Sequence, residues 1–513
     1  MNTVPTDPTQ FSSHVAGLGE SERYWRINRL ESLFNGTGYD DRPSFWDSSV
    51  PLRERAPAVQ SMIGRTAARR LTSLLFGDRV WPDVVPERPE LAPVIEQVVK
   101  VAGLRRASRE WATEGLRSST VVVMCSIRDG YLRAEVMPAK ECTPEFCNDG
   151  ITLSALTIDK KRLHADKKLY LHRRELRVPE DRVYEPVRCD ALSTFDWSTA
   201  SVADSVPISH IPALWHRHDA ASGEVEDIDG HALLEGLEDE VFALDLALSQ
   251  LHRTALYNGE PQMVRTGVDD DTGTLPTGRT AHTNAGLFDR LWTSGATSAA
   301  LVKAPGKIWN LPTGGDAKLL ESSGAGAAII TSASAEMRRV LVDALGVVLA
   351  DPAQLGTGEL SARALAMLHA PMLATVDDLR IEYGELLARV IVEFLRLIAE
   401  TTDLVRIKGL DTARAVLSQL WVRTGDGGAM FSPPEIDLTW GEYFEPSWSE
   451  LGSAIDVAQK ANGGRPVLTL AESRALVAQS LGVDPVSLEL AGEEQGALDA
   501  MGAVISGRRG PAE

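Results

Sequence analysis

Leu237, Val241, Leu244, Leu248, Leu251 and Ala255 recur at spacings of 4-3-4-3-4. That period places all six on one stripe of an α-helix, the kind of stripe that packs on other helices. At 1.5 Å per residue, the ~26 residues from His231 to Tyr257 span roughly 40 Å. Two more long helical stretches follow, the first of them its one obvious partner within the chain, so the rest of the stripe would be buried against neighbouring copies. One runs from near Gly324 to around Gly346. The other covers Ser361 to about Asp403, with Leu379, Tyr383, Leu387, Val390, Phe394 and Ile398 as its apolar face. Pro371 inside it predicts a kink.

The first half of the chain has another character. Residues 1–20 are polar and proline-containing without periodicity, as a flexible arm would be. Helical spacing follows over Ser21–Phe34, Val59–Phe76 and Leu91–Leu116. Then TVVVMCSI (Thr120–Ile127) and YLRAEVMP (Tyr131–Pro138) flank Asp129–Gly130, a favoured hairpin turn. ITLSALTI (Ile151–Ile158) and KLYLHRREL (Lys168–Leu176) extend a sheet. The fold class is therefore α+β, mainly α.

Residues 259–321, between the first two long helices, are rich in Gly, Thr and Asp. Strand-like pieces occur there at Gln262–Arg265, Ala299–Lys303, Lys307–Leu311 and Ala317–Leu320. A compact helix bundle would use a loop of ~2–8 residues at this point, so this excursion has its own role. GVVLADPAQLGTGEL links the second and third long helices, EIDLTW reads as a strand, and Trp448–Gly507 as short helices.

Composition narrows the function classes. Of 513 residues, 52 are Lys or Arg and 72 Asp or Glu, a net charge of −20. Electrostatic clamping of nucleic acid needs the opposite balance, whereas a protein that DNA slides through does not. No stretch approaches ~18 consecutive apolar residues, so no membrane partner is expected. The start of the chain lacks the basic and apolar regions of a signal peptide, so synthesis in a cytoplasm is expected. Cys125, Cys142, Cys147 and Cys189 form no dense disulfide pattern, in keeping with a reducing compartment.

Catalytic signatures are missing: no phosphate-binding G-x-x-x-x-G-K-[ST], no H-E-x-x-H and no G-x-S-x-G occur. Cys142 with Cys147, and His210 with His216 and His218, are too loosely spaced for a usual zinc site. Asp269, Asp270, Asp271 and Gly273 resemble a calcium loop, but Thr280 stands where the twelfth-position Glu belongs. No cofactor, metal site or catalytic residue is therefore expected.

The order of elements from His231 onward is helix, β-rich excursion, second helix, exposed loop, long kinked helix, strand and acidic helical end. It resembles the portal proteins of tailed bacteriophages and of the related gene-transfer agents. HIPALWHRH (His210–His218) followed by GLEDEVFALDLALSQLHRTALYNGEPQMVRTG (Gly236–Gly267) resembles the family's lead into its first stem helix. GELSARALAMLHAPML (Gly358–Leu373) is similar to the start of its kinked helix, with Ala362 where the family has glycine. Trp440–Val477 resembles the closing pattern, and Trp111–Phe146 the hairpin of the wing domain.

The resemblance implies an α/β wing at 21–230, a stem helix at 231–258, a clip at 259–321 and a second stem helix at 322–346. It continues with a tunnel loop at 347–360, a kinked spine helix and wing strand at 361–444, and a crown with its tail at 445–513. It further implies a ring of about twelve copies at one capsid vertex. Double-stranded DNA would pass through that ring, and the terminase motor, a head–tail adaptor and the major capsid protein would be its partners. Leu349, Ala350, Asp351, Pro352, Gln354 and Leu355 would face the DNA channel, with Arg338 and Arg339 as basic contacts on the stem. Two alternatives stay open: another connector or capsid-associated protein, and an α+β enzyme using Asp269–Asp271 or His210–His218.

Overall fold

The computed structural model describes residues 22–189, 197–219, 228–259, 264–266, 309–311, 325–348, 362–400, 407, 410, 416–417, 420–423 and 429–444. The fold is α+β and mainly helical. It divides into two compact units, Met1–Asp351 with His369–Glu442, and Pro352–Leu368 with Tyr443–Glu513. In the second unit the described element is the short helix Ala362–Leu368.

The first unit is organised around one strand. Its elements up to that point are α1 (Glu22–Asn35), α2 (Ile63–Phe76), β1 (Asp83–Pro86), α3 (Ala92–Val101) and α4 (Leu104–Ser118). Then come β2 (Thr120–Arg128) and β3 (Tyr131–Met137), joined through Asp129 and Gly130. Both turn residues have positive φ, 53° and 77°, as the expected hairpin turn demands. β10 (Ala213–Arg217) pairs with the other edge of β2, giving the antiparallel order β10-β2-β3.

The first six residues of β2 are all buried. A strand covered on both faces reads as a continuous apolar run, and TVVVMCSI is such a run. One face, with Val122 and Met124, joins Met137, Ala213 and Trp215 in a core cluster with Leu156, Ile158 and Leu176. Those last three belong to a second, six-stranded sheet. Its members are β4 (Cys142–Phe146), β5 (Leu153–Leu163), β6 (Leu169–Arg177), β7 (Glu180–Tyr184), β8 (Val187–Arg188) and β9 (Val202–Pro207). The order is β4-β5-β6-β7-β9, with β8 pairing β6.

The other face of β2 meets helices. α4 packs on it together with the long helix that begins at Ala370. Counting on in the chain, α5 is Glu238–Gly259, α6 is Ala325–Ala344, α7 is the short Ala362–Leu368, and α8 is Ala370–Glu400. All six residues expected on the apolar face of α8 are buried. Helix formation lapses at His369, and Pro371 sits in the first turn of α8, where its missing N–H costs nothing.

Arg23 on α1 locks these layers together. Its Nε and Nη2 donate to the two oxygens of Asp229, at 2.6 and 2.7 Å. Its Nη1 donates to the carbonyls of Ala139 and Cys142 at 2.9 and 2.7 Å. The guanidinium also lies over the Trp215 ring, 5.3 Å from its centroid. Thr120 at the start of β2 donates to the same Asp229, at 2.8 Å.

Several boundaries differ from the sequence reading for local reasons. α2 starts at Ile63 rather than Val59, because Val59 and Ser61 donate their backbone N–H groups to Ser249 and Asp245 on α5. Met62 then turns the chain with φ 50°. The helix expected over Leu91–Leu116 breaks into α3 and α4 at Gly103, whose φ is +63°. α5 begins at Glu238 rather than His231. The preceding backbone is committed elsewhere, since His231 donates to the His218 carbonyl and Leu233 to that of Leu116. EIDLTW does form a strand, β15 (Ile436–Thr439), which pairs antiparallel with β1. Before it come β11 (Val264–Thr266), β12 (Trp309–Leu311), β13 (Trp421–Arg423) and β14 (Ala429–Phe431). The strand-like pieces at Ala299–Lys303 and Ala317–Leu320, and residues 445–513, lie outside the described residues.

The approach of α4 to α8 depends on one glycine. A Cβ on Gly115 would sit 1.9 Å from the Tyr383 hydroxyl. Gly115→Ala is therefore expected to lower stability by about 1–3 kcal/mol in urea denaturation. Adding Tyr383→Phe, which removes the obstructing oxygen, should recover part of that loss.

Candidate functional site

α5 and α6 pack on each other, and among the described residues their contacts with the body lie near Asp245 and Gly346. On α5 the buried residues, Val241, Leu244, Asp245 and Ser249, lie in its first half. Around α6 they are Ser334 at its midpoint and Leu341, Leu345 and Val347 at and just past its end. The pair thus leaves the body as an antiparallel helical hairpin whose far ends lead into residues 260–324. In that excursion β11 and β12 pair in parallel.

The anchor of α5 is polar. Asp245 accepts from the Ser61 backbone N–H at 2.7 Å and from the Tyr39 hydroxyl at 3.1 Å. Burial raises the Asp245 carboxyl, while its hydrogen bonds with Ser61 and Tyr39 oppose that rise. Ser249 accepts from the Val59 backbone and donates to the Asp245 carbonyl one turn back. The two polar positions stand four apart within the apolar stripe, a signal readable in sequence that periodicity alone passes over.

The anchor of α6 is its C-terminus. Gly346 takes φ +61°, and Val347 donates to the Val342 carbonyl, as in a Schellman cap. A Cβ at Gly346 would lie 2.6 Å from Thr375 Oγ1 on α8. Arg70 on α2 donates to the Val348 carbonyl at 3.1 Å. The helix therefore ends where the sequence places it, held between α2 and α8.

Arg338 and Arg339 are both exposed on α6. They differ in surroundings: Arg339 bonds Glu336 at 2.6 Å and reaches Asp343 at 3.5 Å, both on its own helix. Arg338 has no carboxylate partner among the described residues. Ile329, Met337 and Val340 on the same helix are exposed apolar residues. Leu349, Ala350, Asp351, Pro352, Gln354 and Leu355 lie outside the described residues, as do Asp269–Asp271.

The structure disperses the three histidines of the 210–218 segment. The His210 ring stands between two carboxylates of α8, with Nε2 2.5 Å from Glu393 and Nδ1 3.2 Å from Glu400. His216 and His218 instead flank Tyr383, whose hydroxyl is 3.2 Å from His218 Nδ1. Burial and the charge of Glu382 push the Tyr383 phenol well up, so it stays neutral. Burial would also raise Glu382, but the hydrogen bond and charge of His218 outweigh it and hold that carboxyl low. Cys142 is buried on β4 while Cys147 is exposed just beyond it. Among the described residues no group of three or more His, Cys, Asp or Glu is arranged to hold a metal ion. None of their helices is long and apolar enough to cross a membrane.

The chain matches no family model and no curated protein. Among solved structures it is similar to a chain from the virion of a native gene transfer agent (GTA) particle. The TM-score is 0.32 and the identity 13%, over 82% of this chain and 91% of the other.

His216 generates a pH prediction. The residue is half-buried, but its Nε2 is buried with no hydrogen-bond partner, and desolvation pushes its pKa from the ordinary 6.5 down to about 3. Unfolding exposes it to protonation at 6.5, so the folded state loses stability as pH falls from 6.5 toward about 3. His216→Leu should flatten that part of the stability profile measured by urea denaturation between pH 7 and 4, leaving the alkaline side unchanged.

Proposed function

We propose that this chain is a structural, non-enzymatic subunit of a virion, a portal that closes into a ring of about twelve copies at one capsid vertex. Double-stranded DNA is packaged through the ring and later leaves through it. The terminase motor and then a head–tail adaptor dock on the clip at 259–321, and the major capsid protein surrounds the ring. The reading rests on the order of elements that resembles the portal family. The observation that carries it is the helical hairpin α5–α6, which leaves the body with Ile329, Met337 and Val340 facing solvent on α6. In the isolated chain these side chains go uncovered, and head-to-tail contact with the next copy covers them.

Charge fits a conduit. The chain carries a net charge of −20, so it does not hold DNA by counterion release. Arg339 is engaged by Glu336 and Asp343, which leaves Arg338 as the basic group of α6 for a passing phosphate. Residues 347–360 form the channel loop in this reading, with Asp351 and Gln354 as its polar contacts.

Native mass spectrometry tests the proposal. The expected species is a closed ring near twelve times the 55.6 kDa of one chain. Ile329→Asp combined with Val340→Asp should cut the ring fraction by at least about a hundredfold, since burying an unpaired carboxylate in an apolar contact costs several kcal/mol. The far-UV circular dichroism should not change. A wild-type chain that stays monomeric at micromolar concentration overturns the reading.

A further inference from the structure

Strands β5 and β6 continue past the core they help to build. Ile158 is the last buried residue of β5, and Leu163 lies five residues farther, about 17 Å along the strand. The part beyond Ile158 is a hairpin arm, flanked on its β6 side by β8 and holding one buried residue, Leu171, with an unusual surface elsewhere. Between Asp159 and Arg174 it carries seven Lys or Arg against two Asp, in a chain whose net charge is −20. At its end Leu163 pairs with Leu169, and these leucines are 69% and 43% exposed.

The arm is braced from within. His164 stacks on Tyr170 at 4.2 Å, and the Tyr170 hydroxyl donates to Asp166 at 3.1 Å. Asp166 also accepts the Lys168 backbone N–H at 3.0 Å. His164 Nε2 lies 2.8 Å from His172 Nε2, with ring centroids 5.0 Å apart. That separation is nearly the sum of the N···N distance and two ring radii, so the rings meet end to end through an N–H···N bond rather than converging on a metal. A rigid arm loses little freedom on docking. Exposed leucines rimmed by lysine suit a protein surface with carboxylates around an apolar centre. A phosphate backbone makes no use of the leucines.

The chain itself carries such a surface. In the loop after α1, Trp46 is 48% exposed among the exposed carboxylates Asp40, Asp41 and Asp47. Arg42, the nearest cation in sequence, turns away and lies over the Phe242 ring at 4.2 Å. Ser49 bonds Asp47 twice and holds that carboxyl below its usual range, so the charge persists in mild acid. No hydrogen bond or ion pair among the described residues joins the arm to this loop within one chain.

We propose that the hairpin arm of one copy docks on the Trp46 loop of the next. Leu163 and Leu169 pack on the indole, and Lys167 and Lys168 meet Asp40, Asp41 and Asp47. The contact uses two different patches, so it is heterologous and propagates head to tail. This rests on the ring reading above and adds a specific intersubunit contact to it.

The test is zero-length carbodiimide coupling of assemblies formed from equal parts of ¹⁵N-labelled and unlabelled chains. Native mass is recorded first and coupled peptides are then read by mass spectrometry. Mixed-label links from Lys167 or Lys168 to Asp40, Asp41 or Asp47 are expected. Lys167→Glu with Lys168→Glu, or Asp40→Lys with Asp41→Lys, should each lower the assembled fraction about tenfold, and combining them should restore it to within about threefold. Leu163→Ser with Leu169→Ser, a change confined to exposed positions, should weaken assembly while circular dichroism stays constant. Rings that form normally without mixed-label links, or with the charge-reversed variants, overturn this contact and leave the ring reading standing. Failure of the wild-type chain to form any assembly overturns both. If the lysine variants assemble normally but lose binding to a 30-base-pair duplex, the arm contacts nucleic acid and the proposal is wrong.

Discussion

The Arg23–Asp229 pair is the interaction on which the layers of this fold converge. Both side chains are largely withdrawn from water, at 19% and 4% exposure. An isolated guanidinium or carboxylate there would be expensive, and the geometry compensates with bidentate pairing and two backbone carbonyls. Each bond joins a different stretch of chain: α1, the turn before β4, the segment leading to α5, and, through Thr120, the root of β2. Such an arrangement contributes less to net stability than to selecting one packing among several apolar alternatives. With α1 fixed, Lys140 meets Glu31 at 2.6 Å, and the entry to the six-stranded sheet is set.

The consequence is a strand enclosed on both faces. β2 lies between the six-stranded sheet and the helices α4 and α8, so alternate residues serve two different cores. On the helical side polar groups are admitted only in sets that largely satisfy one another, as with Tyr383, His218 and Glu382. His216 Nε2, and Trp111 Nε1 and Arg117 Nε on α4, are exceptions and carry the cost of desolvation. Close approach is achieved by subtraction, with glycine at 115 against Tyr383 and at 230 against the His218 carbonyl.

Much of this was legible in the chain. The apolar face of α8 was readable residue by residue, because a long amphipathic helix repeats its signal many times. The β2–β3 hairpin was readable because its turn needs two positive-φ residues and Asp-Gly supplies them. β10 was hidden, since His216 and Trp215 give an alternation that residue chemistry disguises: a half-buried imidazole that packs against Tyr383 looks polar. The break at Gly103 comes from that glycine's positive φ and local hydrogen bonds, whereas the break at Met62 and the late start of α5 arise from backbone groups claimed by distant partners, which no local pattern records. For the candidate site, the helix pair and its end at Gly346 were visible, and the unequal standing of Arg338 and Arg339 was not. That depends on which neighbours at i−3 and i+4 are acidic and on their rotamers.

Among the described residues, the contacts that grip the α5–α6 hairpin lie near Asp245 and Gly346, so changes in the length of the stretch joining its other ends need not disturb them. Loop-closure entropy grows only slowly with length, so that stretch can lengthen, shorten or change sequence at little thermodynamic expense. The body has no comparable freedom, since Gly115, Gly230 and Arg23 each answer to a partner fixed elsewhere. Evolutionary drift in a lineage of such chains should therefore be uneven. A slowly changing base keeps its register, while the sequence beyond it is free to change faster.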